Sequence, residues 1–262
     1  NLVTKEDTKK MKEKKVSRRE VIAAGLTGLA GLAVVSGLKP AQLLAQPNKT
    51  PGQKTSIRYG MVIDLRRCIG CHACSIACKS EFDVALGVYR SWVNYAERGN
   101  YPNVRRFFFP RLCNHCENAP CAQICPVKAT TKRDDGIVVI DQEKCIGCRY
   151  CMQACPYGAR YFNWRREPNQ GKTVSPARKW GVVDKCDFCV HRVDKGIVPS
   201  CVNTCVGRAR IFGNLNDPKS EVARLISSNA TTVMNQDLGT KPSVYYIGAD
   251  MNTMEGAPKG GR

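Results

Sequence analysis

The chain has 262 residues, a formal charge of +19, sixteen cysteines and only three histidines. That length holds one large domain or two small ones with a sizeable core, and so many cysteines mean disulfides, metal sites or both, which spacing must decide. Nine Lys/Arg against four Asp/Glu fall in the first 45 residues, so part of the charge that would suggest nucleic-acid binding belongs to a leader and not to a basic face.

The leader carries Lys5, Lys9, Lys10, Lys12, Lys14 and Lys15, then Ser17-Arg18-Arg19-Glu20-Val21-Ile22, then an uncharged stretch over 21–38 with glycines at 25, 28, 31 and 37. A basic start, an apolar middle and paired arginines at the junction read as a twin-arginine export signal over residues 1–45. The expected location is therefore the periplasm or the outer face of the cytoplasmic membrane. The competing reading is a transmembrane anchor, since the uncharged stretch is just long enough to span a bilayer. Leu43-Leu44-Ala45 and Val35-Ser36-Gly37 are imperfect cleavage sites, so a retained tether is the alternative to a cleaved signal. Residues 46–57, punctuated by Pro and Gly, read as a linker. No second apolar run of spanning length follows, and further membrane contact is expected through a partner.

An apolar run at 59–63 predicts a strand leading into the first cysteine quartet, Cys68-x2-Cys71-x2-Cys74-x3-Cys78. Phe107-Phe108-Phe109 reads as a buried strand in preference to an interface patch. It precedes the second quartet, Cys113-x2-Cys116-x4-Cys121-x3-Cys125-Pro126. A strand at 137–140 feeds the third, Cys145-x2-Cys148-x2-Cys151-x3-Cys155-Pro156. A long basic, aromatic loop follows (Tyr161, Trp164, Arg165, Arg166, Arg178, Lys179, Trp180), suited to docking an acidic partner or simply to solvation. The fourth quartet is Cys186-x2-Cys189-x11-Cys201-x3-Cys205. Over 217–262 the expectation is a short helix at 221–227, a strand at 243–247 and otherwise an irregular wrap.

The first and third quartets match the bacterial ferredoxin run, in which two-residue gaps let one loop present three thiolates to one [4Fe–4S] cube. The fourth cysteine, carried away on the helix that follows, ligates the other cube of a pair. The other two quartets postpone the third ligand but keep the closing x3 step. Ile63-Asp64-x3-Cys68-Ile69-Gly70-Cys71 recurs 77 residues later as Ile140-Asp141-x3-Cys145-Ile146-Gly147-Cys148. Gly70 and Gly147 sit where the backbone must turn tightly. A proline precedes the third cysteine in the other pair (Pro120, Pro199), and an alanine falls four residues after the last cysteine in three quartets (Ala129, Ala159, Ala209). Disulfide frameworks do not repeat x2-x2-x3, and zinc usually takes two separated pairs per site. The reading is four [4Fe–4S] clusters with no ligand missing. Each complete cube would bring a charge of about −2, which removes most of the remaining case for a nucleic-acid partner.

From 58 to about 217 the chain resembles the four-cluster electron-transfer subunits of the molybdopterin (DMSO reductase-type) oxidoreductase superfamily, most of all the tetrathionate and polysulfide reductase beta subunits. The segments that carry the likeness are Ile63-Asp64-Leu65-Arg66-Arg67-Cys68, Pro110-Arg111-Leu112-Cys113-Asn114-His115-Cys116, Asp135-Gly136-Ile137-Val138-Val139, Gln153-Ala154-Cys155-Pro156-Tyr157 and Asp184-Lys185-Cys186 with Cys189-Val190-His191-Arg192. The resemblance implies that quartets one and four exchange their last cysteines, as do two and three. The implied ligand sets are Cys68, Cys71, Cys74 with Cys205; Cys186, Cys189, Cys201 with Cys78; Cys113, Cys116, Cys121 with Cys155; and Cys145, Cys148, Cys151 with Cys125. It also implies two redox partners, a molybdopterin-containing catalytic subunit and a quinone-interacting integral membrane subunit.

His72, His115 and His191 lie in the ligand loops, where each either donates to a cluster sulfur or plays an ordinary capping role. No Ser/His/Asp set, paired carboxylate or phosphate loop is present, so no catalytic residue is expected on this chain. The expected fold is α+β with two ferredoxin-like modules of two clusters each: 58–104 plus 181–216, and 105–165, with the basic loop at 166–180. The expected function is electron transfer, without substrate chemistry, in an exported respiratory oxidoreductase acting on a sulfur oxyanion or similar substrate. The alternatives are the ferredoxin-like subunit of a sulfite-reduction-linked membrane complex, a freestanding exported polyferredoxin, and a zinc-stabilised basic binding protein.

Overall fold

The computed structural model describes residues 57–164 and 179–249. The leader, most of the linker, residues 165–178 of the basic loop and the last thirteen residues lie outside this range. The chain mixes short strands and helices. Its main sheet has the order β8-β1-β10-β9, built from β8 (Arg210–Asn214), β1 (Tyr59–Asp64), β10 (Val244–Ile247) and β9 (Thr231–Thr232). β1 pairs antiparallel with β8 (Met61 opposite Phe212) and parallel with β10 (Met61 opposite Val244). Successive residues of a strand face opposite sides, and β1 is buried on both. Met61 and Ile63 enter the large core with Phe109, Phe188 and Tyr246, whereas Val62 meets Ile211, Val222 and Ile247 under helix α6 (Glu221–Ser228).

The expected helix and strand of the C-terminal segment are therefore present within residues 217–249, and the strand joins the main sheet. Val244-Tyr245-Tyr246-Ile247 forms β10, which lies inside the sheet between β1 and β9. Helix α6 is capped by Ser220, whose hydroxyl accepts from the Ala223 amide at 3.1 Å.

Among the described residues there are also three two-stranded sheets. β2 (Ser91–Arg98) and β3 (Arg105–Leu112) form a long hairpin between the first two quartets. The triple phenylalanine lies in β3 as expected, but only Phe109 is fully buried, because alternation turns Phe108 to the other face, against Tyr95. β4 (Thr130–Lys132) pairs with β5 (Val138–Ile140), and β6 (Arg160–Phe162) with β7 (Val183–Lys185). Tyr161, assigned above to the basic loop, instead belongs to β6, where its hydroxyl donates to the buried Asp184 at 2.8 Å. One hydrophobic core runs from Met61 through Ile137 and Val183 to Tyr246.

The third cysteines ride on helices. Helix α1 (Ala73–Phe82) carries both Cys74 and Cys78 on one face, four residues apart. The others are single turns: α2 (Pro120–Gln123) with Cys121, α3 (Tyr150–Gln153) with Cys151, and α5 (Ser200–Asn203) with Cys201. Pro120 opens α2 and Pro199 caps α5, positions where a missing N–H costs nothing. Of the four last cysteines, only Cys78 sits on a helix, which continues past it to Phe82. Cys125, Cys155 and Cys205 lie just beyond their one-turn helices. For the first two the following proline disfavours helical backbone; Gly207 follows the third. Another one-turn helix, α4 (Val190–Val193), follows Cys189.

Candidate functional site

All sixteen cysteines are free thiols, and they gather in sets of four that mix quartets. Cys68, Cys71 and Cys74 share a cavity with Cys205. Cys113, Cys116 and Cys121 share one with Cys155, and Cys145, Cys148 and Cys151 share one with Cys125. Cys78 lies in the electrostatic reach of Cys186, Cys189 and Cys201, packed beside Cys189 and Phe82. In every set three sulfurs come from one quartet and the fourth from another.

Backbone hydrogen bonds build this crossing. The Asp64 amide, just before quartet one, donates to the Ala209 carbonyl at 2.8 Å, while the Ala209 amide donates to Cys205 Sγ at 3.2 Å. The other repeat copy does the same: Asp141 donates to Ala129 at 2.8 Å, and Ala129 to Cys125 Sγ at 3.2 Å. The recurrent alanine thus ties the visiting cysteine to the strand that enters its host loop. The aspartates also shape those loops. Asp64 Oδ1 accepts from the Arg66 amide at 3.1 Å, and Asp141 Oδ1 from the Glu143 amide at 2.9 Å. The Arg66 guanidinium holds the Asp64 carboxyl below the usual carboxylate range.

The residue before the second cysteine has positive φ in all four loops: Gly70, His115, Gly147 and Phe188. Glycine adopts this freely, while His and Phe hold it at a cost. Those two side chains stack on each other, ring centroids 3.7 Å apart. His115 is 1% exposed, its Nδ1 accepts from the Val138 amide at 3.0 Å, and burial pushes its pKa well below the normal value. Of the other histidines, His72 bonds the Tyr95 hydroxyl, and His191 Nε2 lies 2.7 Å from Glu81 Oε1. His72 nevertheless lines the cavity of Cys68, Cys71, Cys74 and Cys205.

Sequence reasoning missed the buried cations. Arg90, 1% exposed, stacks over the Phe82 ring at 3.6 Å, donates to the Lys185 carbonyl at 2.8 Å and pairs with Asp187 at 3.0 Å. Arg160 and Arg210 border the cysteine cavities. A signal was there to be found, because Ala159-Arg160 and Ala209-Arg210 each follow the last cysteine of a quartet at the same spacing. Burial pushes the Cys186 and Cys116 thiols up to about 12, so thiolates here require bound positive charge.

The residues present fit an anionic polynuclear group. The buried Asn114 amide, His115 Nε2 and all three guanidinium nitrogens of Arg210 have no hydrogen-bond partner. Buried donors of this kind are costly unless an acceptor fills the space they face.

Sets of four sulfurs in short loops, tied by N–H···S bonds and flanked by buried cations, define a cysteine-ligated iron–sulfur electron carrier. Residues 104–215 match the 4Fe-4S dicluster domain. The chain is 42% identical over 225 residues to a tetrathionate reductase subunit of Salmonella typhimurium, covering 84% of each chain. It is 46% identical over 210 residues to a selenate reductase subunit of Mesobacillus selenatarsenatis (73% of this chain, 72% of the relative). It is 37% identical over 270 residues to an Hdr-like menaquinol oxidoreductase iron–sulfur subunit of Archaeoglobus fulgidus (88% and 97%). The chain belongs to the family of iron–sulfur subunits of the molybdopterin oxidoreductases.

Proposed function

We propose that the sixteen cysteines hold four [4Fe–4S] clusters, as two ferredoxin-like modules of two clusters each (58–104 plus 181–216, and 105–165). The chain passes electrons through them between a molybdopterin catalytic subunit and a quinone-reactive membrane subunit of an exported respiratory reductase. The observation that carries this reading is the crossed gathering of cysteines, three from one quartet and one from another. When bound, such clusters exchange one electron each at potentials set by burial, hydrogen bonds to sulfur and nearby charge.

The order of the sets supports a wire with two ends. The set of Cys68 meets that of Cys186 through Cys74 and Cys201, and Cys186 lies within reach of Cys113. Cys121 in turn faces Cys151. Cys71 and Cys148, in the two terminal sets, are exposed, whereas the inner Cys113, Cys116, Cys121, Cys186, Cys189 and Cys201 are buried. Exposed Ile69 and Ile146 beside the terminal sets offer apolar contact to a partner at each end. The likeness to iron–sulfur subunits of reductase complexes supports a purely electron-transferring role. The relatives' names support an oxyanion as the substrate of the catalytic partner.

The leader supports export, and among the described residues no helix is long and apolar enough to cross a membrane. The full-length likeness to a menaquinol oxidoreductase iron–sulfur subunit favours, as a second reading, a quinol-linked membrane complex with a different catalytic partner. Purification of the native complex, with partner identification and iron and labile-sulfide assay, tests both. About sixteen iron atoms per chain and a molybdopterin subunit are expected. Clearly less iron contradicts four clusters, and co-purified partners without molybdopterin select the second reading.

A further inference from the structure

Two buried guanidiniums lie where the sets of each pair meet. Arg210 opens β8, is 2% exposed and lines the cavity of Cys68, Cys71, Cys74 and Cys205. The thiols that face it are Cys74 of that set and Cys201 of the neighbouring one. Arg160 opens β6, is 6% exposed and lines two cavities at once, with Cys121 on one side and Cys151 on the other. In both cases the flanking cysteines are the third of their quartets. The two arginines therefore hold equivalent places in the sequence and in the fold.

Among the described residues neither pairs with a carboxylate: Arg210 faces the Cys74 and Cys201 sulfurs and the Tyr246 hydroxyl, and Arg160 bonds Thr130 Oγ1 through Nη1 at 3.2 Å and otherwise faces cysteine sulfurs, Cys121 and Cys151 among them. Arg90, by contrast, is balanced by Asp187 and Asp184. A guanidinium stays charged even when buried, so Arg160 and Arg210 each present a fixed positive charge to two sulfur sets.

We propose that Arg210 and Arg160 each act as one counter-cation shared by the two clusters of a pair, raising both potentials together. The proposal rests on the four-cluster reading above. One-electron reduction adds one negative charge to a cluster, the electron coming from the reducing partner, and no bond to protein changes. A cation between two such sites stabilises the reduced form of either. A cation placed between the two shifts both potentials in the same direction.

The test is an EPR-monitored redox titration, with dithionite as reductant, of the full chain in its native complex. Wild-type iron content and the presence of four reduced-cluster signals check the underlying reading independently of any variant. Arg210→Gln is expected to lower two of the four midpoints, and Arg160→Gln the other two. Each shift should be about tenfold or more in the reduced-to-oxidised ratio, about 59 mV for one electron. Arg210→Lys and Arg160→Lys, which keep the charge, should retain midpoints near wild type. The proposal is overturned if a glutamine variant moves no midpoint, only one, or all four, or if lysine shifts them as far as glutamine. Should a glutamine variant lose iron, a lysine variant that keeps both clusters at unshifted midpoints supports the shared charge. Loss of iron in both variants overturns it.

Discussion

The Asp64 amide donates a hydrogen bond to the Ala209 carbonyl at 2.8 Å, joining two ends of the cysteine-bearing chain. Through it, Cys205 of the last quartet is delivered to the loop of the first. The equivalent bond from Asp141 to Ala129 delivers Cys125 to the third. Two short contacts thus bring the last cysteine of one quartet to the loop of another in two of the four sets.

The Asp64 carboxylate fixes this junction by accepting from Arg66 at its amide, Nε and Nη2, at 3.1, 2.9 and 2.8 Å. Asp64→Asn is expected to destabilise the folded chain by about 1–3 kcal/mol, the cost of losing charge-assisted bonds. Because the native carboxyl is held below the usual range, its contribution is complete above about pH 5 and falls away as pH drops through the unfolded and then the native value. Urea unfolding under anaerobic conditions should show the same gap between wild type and variant at pH 7 and pH 6, narrowing at pH 4. A gap that widens with acid contradicts the assignment.

Gly147 has φ of +69°, and an added Cβ would overlap the Gly181 carbonyl oxygen. Gly147→Ala should cost about 1–2 kcal/mol in backbone conformation alone, with the overlap in addition. Gly87 also has positive φ, but open space surrounds it, so Gly87→Ala should cost no more than the backbone penalty. Comparison of the two thermal midpoints separates overlap from conformation.

Tyr246 ties the C-terminal strand to the core. It stacks on Phe109 at 4.7 Å, and its hydroxyl donates to the Pro110 carbonyl at 3.2 Å. Tyr246→Phe should cost about 0.5–1.5 kcal/mol and Tyr246→Ala about 3–5 kcal/mol. Truncation before β10 should abolish cooperative unfolding, since β1 would lose its parallel partner. Denaturant titration of the three variants checks the order.

Removal of iron leaves Arg210, Arg160 and Asn114 with unpartnered buried groups, and metal-binding free energy is folding free energy in sites of this kind. Anaerobic chelation is expected to lower the thermal midpoint and broaden the transition. An unchanged midpoint would contradict a structural role for the clusters.

Much of the site was legible because ligand spacing is local. The four quartets, the strands that feed them and the glycines at positive φ all follow from short segments read one at a time. What stayed hidden depends on distant chain. Nothing local in Val244-Tyr245-Tyr246-Ile247 indicates that it enters the sheet beside β1, because that choice is made by Met61 and Phe109 across the core. The recurrent alanines were visible, but their amide bonds to sulfur and carbonyl bonds to aspartate appear only once the chain closes on itself. Arg160 and Arg210 share a position after the last cysteine of their quartets, but in a chain with 41 Lys and Arg that spacing gains meaning only once their burial is seen.

The crossed ligand sets are tested most directly by single Cys→Ser variants read by EPR of the reduced native complex. Cys205→Ser and Cys68→Ser are expected to alter the same cluster signal, and Cys78→Ser and Cys186→Ser a different one. If Cys205→Ser instead alters the signal changed by Cys186→Ser, the last cysteine serves its own quartet and the crossed arrangement is wrong.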